Sequence, residues 1–392
     1  MSRHPSPGAL RRPAAALLVA ALMGTTAACG SAAAHGSAAP IPVNRFCSGT
    51  IAVMAPTGST GRSPSQLNWA RVALDTFNAV HGTEFTVEAS NVDDQADLAA
   101  AEAARLAADP QVVGVVGPIT SRATQAAGPV LDRAGLSYVS PSATAVSLTD
   151  GHLRNFYRVV ASDAVQGPTL ARFVSDSLHA RNVVVLDDQE VYSTNLATSV
   201  IDGLQARGVT ARRLLVTVHQ PDFSGVVSQL ATDTGAVVMP LVQPADAQQF
   251  ATQLAAAEAG RHGLHPALVG GDALFSLSDY DVSGTYVSTF ERDVATLPQG
   301  SAEMKLYNAI YGDLGSFGAP AASAMEAVAT AALDSCSDGM ATRRGVTAAL
   351  PTVHPMGAIT GTRLAFAPDH EVVGGRYYVY RIDGSRYQLV SS

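Results

Sequence analysis

The sequence predicts an α/β protein with two doubly wound lobes. Nine short runs rich in valine and other apolar residues alternate, between residues 50 and 270, with alanine-rich stretches of helical length. Near-continuous apolar runs are typical of strands that are covered on both faces, and strand–helix alternation favours parallel sheets of right-handed βαβ units. The first 28 of the 392 residues form a separate leader, and the remaining 364 or so are too many for one core and fit two domains.

The predicted elements follow one another in a regular order. The strands are 50–55, 85–90, 112–117, 136–140, 156–161, 182–187, 212–218, 236–241 and 266–270. The helices between them are 65–80, 95–108, 121–134, 165–179, 194–207, 222–232 and 244–259. After about residue 290 the pattern changes to helices at 299–314, 319–335 and 340–350 and strands at 362–367, 376–382 and 386–392. This strand-rich end predicts that the chain crosses again between the two lobes.

The leader at residues 1–28 has the features of an export signal. Three arginines and no acidic residue accompany an apolar run at 14–23, and small residues lead into Cys29. The run is about half the roughly 20 residues that crossing a bilayer requires, so we predict a signal peptide and not a membrane span.

Cleavage before Cys29 resembles the processing of bacterial lipoproteins, in which that thiol is acylated. Residues 29–45 are small and nearly uncharged, which suits a flexible tether. No other segment approaches 18 consecutive apolar residues, so we predict an extracytoplasmic protein whose only membrane anchor is the lipid. An ordinary secretory signal with a chance cysteine at the cleavage site is the alternative.

Two further cysteines, Cys47 and Cys336, form an even pair once Cys29 is acylated. An exported protein lies in a compartment that permits disulfides, so we predict one bond between them. Two buried free thiols are the alternative.

The composition argues against several classes of function. The formal charge is −8, and without the three leader arginines the chain has 22 basic against 33 acidic residues, which disfavours nucleic acid or an anionic membrane surface as a partner. No G-x-S-x-G, H-E-x-x-H or C-x-x-C motif is present, and His262 and His265 have no nearby acidic residue at ligand spacing. We therefore predict no enzymatic activity, no cofactor and no metal.

Two hydroxyl-rich turns follow neighbouring strands in the first half of the chain. Ligands of open α/β sheets bind at the carboxyl ends of the strands, beside helix N-termini. Ser121 ends the turn at 117–121 and is placed to cap the next helix, whose N–H groups suit a carboxylate; a plain helix cap is the alternative. Ser142 and Thr144, with exposed N–H groups between them at Ala143, form a second such turn.

The second half of the chain supplies acidic groups and an aromatic ring. Asp188 and Tyr192 follow the strand at 182–187, and Asp272 follows the strand at 266–270. A carboxylate beside a tyrosine ring can bind an ammonium group by charge-assisted hydrogen bonds and cation–π contact. The alternatives are that Asp188 is a helix cap and that Tyr192 packs in the core.

Three longer stretches, 111–149, 156–174 and 183–208, are similar to one known family. They resemble the type I periplasmic binding proteins for leucine, isoleucine and valine, which are the capture subunits of ABC importers. The likeness runs from about residue 50 to residue 380.

The resemblance implies the type I periplasmic-binding-protein fold, with two flavodoxin-like lobes. Its three hinge crossings would fall near 161–163, 286–289 and 376–378. The N-terminal lobe would then comprise 46–162 and 288–376, and the C-terminal lobe 163–287 and 377–392.

The resemblance also implies an amino-acid site. Ser121, Ser142 and Thr144 would hold the α-carboxylate, and Tyr192 and Asp272 the α-ammonium. The family has glutamate at the position of Asp272 and an aromatic ligand contact at the position of Val242, so the side-chain specificity does not transfer.

The implied function is capture of a small ligand, foremost an aliphatic or branched-chain amino acid, and its delivery to the permease and ATPase of an ABC importer. A ligand-sensing lipoprotein of the same fold is one alternative. A binder of an amide, a urea-like solute or a small aromatic acid is another.

Overall fold

A computed structural model describes residues 46–58, 63–260, 262–276, 278–293, 296–297, 301–312, 314–357 and 359–392. The predicted signal peptide, Cys29 and the predicted tether lie outside the described residues. Within the described ranges, no helix combines the length and the hydrophobicity that a membrane span requires.

Five parallel strands form the first sheet, in the order β2-β1-β3-β4-β5. They are β1 (Ser48–Ala55), β2 (Glu84–Asn91), β3 (Val112–Val116), β4 (Tyr138–Ser140) and β5 (Phe156–Arg158). The helices connecting them are α1 (Ser65–His81), α2 (Ala96–Ala108) and α3 (Ser121–Arg133).

Both faces of this sheet are buried, which explains its uninterrupted apolar runs. Along β1, Ile51 and Val53 belong to a core shared with α1, whereas Ala52 and Met54 belong to a core shared with α2 and α3. Successive side chains of a strand point to opposite faces, so a strand covered on both sides needs apolar residues at every position.

Seven strands form the second sheet, in the order β7-β6-β8-β9-β10-β11-β12. They are β6 (Asn182–Asp187), β7 (Thr210–Leu215), β8 (Ala236–Met239), β9 (Ala267–Gly270), β10 (Tyr286–Thr289), β11 (Tyr378–Asp383) and β12 (Arg386–Ser391). The helices that accompany them are α4 (Asp163–Arg172), extended by a π-helical turn (Phe173–Ser177), α5 (Val191–Gln205), α6 (Ser224–Ser228) and α7 (Pro244–Glu258). The first five strands are parallel and repeat the order of the first sheet, and β11 and β12 add an antiparallel edge.

The chain passes three times between the two sheets. After β5 it enters α4 of the second lobe, and after β10 it returns to the first. There α8 (Ala302–Ile310), α9 (Gly318–Asp334) and α10 (Arg343–Ala349) pack. It finally enters β11 in the second sheet. This two-lobed α/β architecture confirms the predicted fold class.

A disulfide joins Cys47, just before β1, to Cys336, just after α9, with 6.0 Å between their Cα atoms. Both residues pack against the core of the first sheet. The bond thus ties the first strand to the segment that returns from the second lobe.

Over the described residues, the structure lacks one predicted strand and contains one strand that was not predicted. Residues 362–367 form isolated bridges and no strand, whereas β10, expected only as a hinge, pairs with β9 and β11. The local apolar pattern does not show whether a segment has a partner strand. Residues 362–367 make only isolated bridges, whereas the four residues of β10 form a strand because β9 and β11 pair with them on either side. The predicted lobe boundary at residue 288 falls inside β10.

Candidate functional site

A cavity of about 770 Å³ lies at the carboxyl ends of the strands of both sheets. Each sheet has a topological switch point, at β1/β3 in the first and at β6/β8 in the second, where connections leave in opposite directions and open a crevice. Residues just beyond these four strands line the cavity, namely Pro56, Ser121, Glu190 and Val242. The parallel topology therefore places the carboxyl ends of the strands of both lobes at the same cavity.

The turn after β3 brings the N-terminus of α3 to the cavity wall. Gly117 has φ +96°, and a Cβ there would lie 2.5 Å from the carbonyl oxygen of Met54, so the turn requires glycine. Thr120 is the N-cap, because its side chain accepts a hydrogen bond from the N–H of Ala123 at 3.2 Å. The expectation that Ser121 caps this helix is wrong.

Ser121 is instead the first helical residue and lines the cavity, with 3% of its surface exposed. Its Oγ accepts from the N–H of Ala145 at 3.2 Å, which links the two hydroxyl-rich turns. The Ser121 hydroxyl proton has no acceptor among the described residues, so it can be donated to a ligand carboxylate beside the positive end of the helix.

The second turn is divided between the cavity wall and the interior. Ser142 lines the cavity and donates to the carbonyl of Ile119 at 2.7 Å. Ala143 and Thr144 are fully buried and lie behind the wall. The structure thus places Ser121 and Ser142 together at the cavity and Thr144 one layer deeper.

A buried cation supports this turn from below. Arg158, at the end of β5, is fully buried and donates to the carbonyls of Ala143 (3.1 Å) and Ala145 (2.9 Å). Its guanidinium also binds the carboxylate of Glu371 through two nitrogens, one at 2.9 Å. Arg158 therefore determines where the hydroxyl-rich turn lies relative to α3.

Tyr192 and Asp272 meet on the opposite wall. Tyr192 donates from its hydroxyl to Oδ1 of Asp272 at 3.0 Å, and both residues line the cavity. Burial raises the pKa of Asp272 to about 6, although the hydrogen bonds of Gln166 and Tyr192 oppose the rise. A ligand ammonium can bind the remaining carboxylate oxygen and a lone pair of the tyrosine.

Asp163 and Gln166 also belong to this region, and neither was predicted from the sequence as a site residue. Asp163 starts α4 and is fully buried. Burial, then the charge of Asp272, raises its pKa well above the ordinary value, and the hydroxyl of Thr144 opposes the rise. The available signal was an acidic residue directly after a predicted hinge, at the start of a helix.

Asp188 is not a helix cap, since Glu190 occupies that position. Its Oδ2 accepts from the N–H of Val242 at 2.7 Å, which ties the loop after β6 to the loop after β8. Val242 is consequently held at the cavity wall, at the position where the resemblance implied an aromatic contact.

Beside the cavity, the two lobes touch through an ion pair. Arg122 of α3 donates to Oε1 of Glu190, ahead of α5, at 2.6 Å. Both residues line the cavity mouth. The part of the chain that the structure describes contains no group of three or more side chains arranged to hold a metal ion, and this includes the surroundings of His265.

Two doubly wound lobes that share one cavity, with hydroxyls on one wall and a buried acid–tyrosine pair on the other, define the class of two-lobed solute-binding proteins. The sequence profile of the periplasmic binding protein family matches residues 50–386, and the chain belongs to that family. The resemblance to its leucine/isoleucine/valine-binding members is confirmed by relatives in sequence and in structure.

Among curated relatives, the Leu/Ile/Val/Thr-binding protein of Salmonella typhimurium is 31% identical over 117 residues, 30% of this chain and 32% of that protein. The leucine-specific-binding protein of the same organism is 28% identical over 169 residues, 42% of this chain and 46% of that protein. The matched segments thus span less than half the length of these relatives.

Solved structures share the whole fold. A leucine-binding protein of Thermotoga maritima superposes with a TM-score of 0.76 at 18% identity, covering 87% of this chain and 97% of that chain. A branched-chain amino acid transporter substrate-binding protein of Streptococcus pneumoniae, in complex with isoleucine, has a TM-score of 0.73 at 23% identity, covering 88% and 100%. A solute-binding protein of R. palustris in complex with benzoate has a TM-score of 0.71 at 14% identity, covering 87% and 95%.

Proposed function

We propose that this protein is a lipid-anchored, extracytoplasmic binding protein that captures an α-amino acid and delivers it to the permease and ATPase of an ABC importer. The anchor would be Cys29, and the protein itself would catalyse no reaction. The proposal combines the lipoprotein-like leader with membership of the periplasmic binding protein family.

One observation carries the choice of ligand: a hydroxyl-rich helix N-terminus and a buried acid–tyrosine pair face each other across one cavity. Ser121 would donate its hydroxyl proton to the α-carboxylate, and Ser142 would bind the same group by turning its hydroxyl away from the carbonyl of Ile119. Thr144 and Arg158 would shape the turn behind them. Tyr192 and Asp272 would bind the α-ammonium. Both charges of the zwitterion would then be hydrogen-bonded on burial, which is the condition for burying them at modest cost.

A small aromatic acid is the second candidate ligand. The aromatic residues Phe275 and Tyr387 line the cavity, and structural neighbours are complexes with benzoates. An aromatic acid has no ammonium group, so it would leave Asp272 without a charged partner.

Calorimetric titration of the purified protein with amino acids and benzoates tests the proposal. Ser121→Ala removes one hydroxyl from the carboxylate site and should weaken amino-acid binding about 5- to 150-fold, equivalent to roughly 1–3 kcal/mol. Asp272→Asn should weaken amino-acid binding at least as much, because it removes the counter-charge.

Ser228→Ala is the matched control, since this serine is exposed on α6 and lies away from the cavity. Wild-type amino-acid affinity in both site variants would overturn the site assignment. Benzoate binding that is insensitive to Asp272→Asn, without any amino-acid binding, would favour the second candidate.

A further inference from the structure

The cavity continues beyond the head-group site along an aromatic wall. From Asp272 the chain turns to Phe275, whose N–H donates to the carbonyl of Asp272 at 2.8 Å. The ring of Phe275 stacks on that of Tyr387, with centroids 4.2 Å apart and planes 23° apart. Both rings line the cavity. The aromatic wall therefore begins three residues from the acid that is assigned to the ligand ammonium.

Acidic side chains dominate the same end of the cavity. Asp279 and Asp293 line it there, against one basic residue, Arg386. Glu291 also lines it, but burial raises its pKa to about 8, so this group is mostly protonated at pH 7. Arg122, the other basic residue among the described lining residues, is paired with Glu190. This end thus carries more acidic than basic groups beside the Phe275–Tyr387 ring pair.

Tyr387 adds a hydroxyl group that forms no hydrogen bond within the described part of the chain. Its hydroxyl oxygen is buried and has no hydrogen-bond partner among the described residues. Burial, then the charges of Asp293, Asp279 and Glu291, raises the pKa of this phenol, so it stays protonated. A neutral phenol can accept a hydrogen bond from an N–H donor while it donates its own proton to a carboxylate.

The cavity volume of about 770 Å³ leaves room for a group at this end. Pockets of roughly 300–1,000 Å³ enclose drug-sized ligands, so an aliphatic amino acid bound at Ser121 and Asp272 would leave the aromatic end unfilled. Ile119, Val242 and Leu314 add apolar wall, against which a methylene chain can pack.

We propose that the ligand is an amino acid with a cationic side chain, and that its guanidinium or ammonium group binds between the Phe275–Tyr387 wall and Asp293. This inference rests on the proposed function, because the α-amino and α-carboxylate groups place the side chain in this arm. The side-chain cation of an arginine-like or lysine-like ligand can make cation–π contact with the rings. It can also donate charge-assisted hydrogen bonds to the carboxylates.

Calorimetric titration with L-arginine, L-citrulline and L-leucine tests the inference. Citrulline matches arginine in length and shape but is neutral, so it isolates the charge. We expect arginine to bind at least about tenfold more tightly than citrulline and leucine. Asp293→Asn and Tyr387→Leu should each remove most of the preference for arginine over citrulline and leucine.

Asp75→Asn is the matched control, because Asp75 is exposed on α1 and lies outside the cavity wall. Urea unfolding of each variant separates loss of the preference from loss of the fold. Citrulline or leucine binding as tight as arginine would overturn the inference and leave the proposed function standing. Failure of every α-amino acid to bind would overturn both.

Discussion

Arg158 shows how a residue behind the cavity wall can position the residues of the candidate site. It is fully buried, and its partners are Glu371 and the carbonyls of the hydroxyl-rich turn. Glu371 lies near the C-terminal end of the sequence, just before the last crossing between the lobes. The guanidinium of Arg158 therefore connects the hydroxyl-rich turn both to β5 and to this late segment. Buried ion pairs of this kind add little net stability over an apolar pair, but they are costly to break.

Arg158→Met should lower the free energy of unfolding by about 3–5 kcal/mol, because it leaves two carbonyls without their donor and Glu371 without its cationic partner. Urea denaturation measures this change. Arg105→Met is the matched control: Arg105 is 47% exposed and pairs with Glu88 and Glu102 at the surface, so the loss should be within about 1 kcal/mol. Equal losses in both variants would contradict the role of Arg158.

The role proposed for Asp272 predicts that ligand binding depends on pH. Its pKa is raised to about 6 by burial, so the carboxyl is mostly ionised at pH 7 and becomes protonated below pH 6. A protonated Asp272 cannot balance an ammonium group. Amino-acid affinity should therefore fall by up to about tenfold per pH unit below 6, as calorimetry between pH 4.5 and 8 would measure.

The same group destabilises the ligand-free fold at neutral pH. Since the folded-state pKa lies above the ordinary value of 3.8, the folded protein binds the proton more tightly than the unfolded chain. The stability from Asp272 is fully present below about pH 4 and is lost as the pH rises to 6. Asp272→Asn should flatten this part of the pH dependence; an unchanged slope would contradict the assignment.

At the scale of elements, the short turns between strand and helix place the site residues. The turn after β9 is an example: Gly271 lets the main chain approach Tyr192 so closely that a Cβ would lie 2.1 Å from its hydroxyl oxygen. This approach holds the tyrosine against Asp272. The glycine is required by contact and not by backbone conformation, since its φ is −78°.

Gly271→Ala should therefore displace the Tyr192 hydroxyl from Asp272. Overpacking of this size costs about 1–3 kcal/mol of stability, and amino-acid affinity should fall about tenfold or more. Gly225→Ala is the matched control, because Gly225 sits in α6 and no atom lies within 4 Å of the place where the added methyl group would stand. Calorimetry and urea unfolding of both variants would decide; an unaffected Gly271→Ala protein would count against the contact.

At the scale of the whole molecule, the two lobes are joined by three crossings and by direct contacts between them. Arg122 and Glu190 form one such contact at the cavity mouth, and the N–H of Ser147 donates to the side chain of Asn195 at 3.3 Å in another. Both link α3 or its neighbouring turn to α5. Such contacts are available only while the lobes lie close together, which is how lobe closure can retain a ligand.

The Cys47–Cys336 bond constrains the whole chain. It spans 289 residues of sequence, and long closed loops lose the most conformational freedom in the unfolded state. Cys47→Ser with Cys336→Ser should lower the free energy of unfolding by about 2–5 kcal/mol in guanidinium denaturation. Wild-type protein unfolded in a reductant should match the double variant, and two titratable thiols in denatured, unreduced protein would show that the bond is absent.

Much of the fold was predictable because its signals are local. Helix α7, expected at 244–259, is found at Pro244–Glu258, and β6 occupies the predicted 182–187. In both elements, the local sequence has the pattern typical of its type of secondary structure, and the bounds agree to within one residue. By contrast, β10 is only four residues long, and it is a strand because β9 and β11 lie on either side of it.

The grouping of residues in the candidate site was predictable to the extent that topology determines it. Ser121, Ser142, Tyr192 and Asp272 each follow the carboxyl end of a strand, and parallel sheets bring those ends together. Asp163 was missed because its neighbours in space come from both lobes. Thr120, and not Ser121, caps α3, since two adjacent hydroxyls compete for one position and only the backbone geometry distinguishes them.

The strand–helix alternation, the two lobes and the residue types at the strand ends follow from the sequence alone, because these depend on periodicity and on the direction of parallel strands. Which groups are buried together follows only from the folded chain: Arg158 lies beneath the hydroxyl-rich turn, Asp163 lies near Asp272, and the rings of Phe275 and Tyr387 lie at one end of the cavity. Desolvation, buried polar atoms without a hydrogen-bond partner, and ring stacking all depend on distances between residues that are far apart in the chain. These features therefore exist only when both lobes have folded around the cavity.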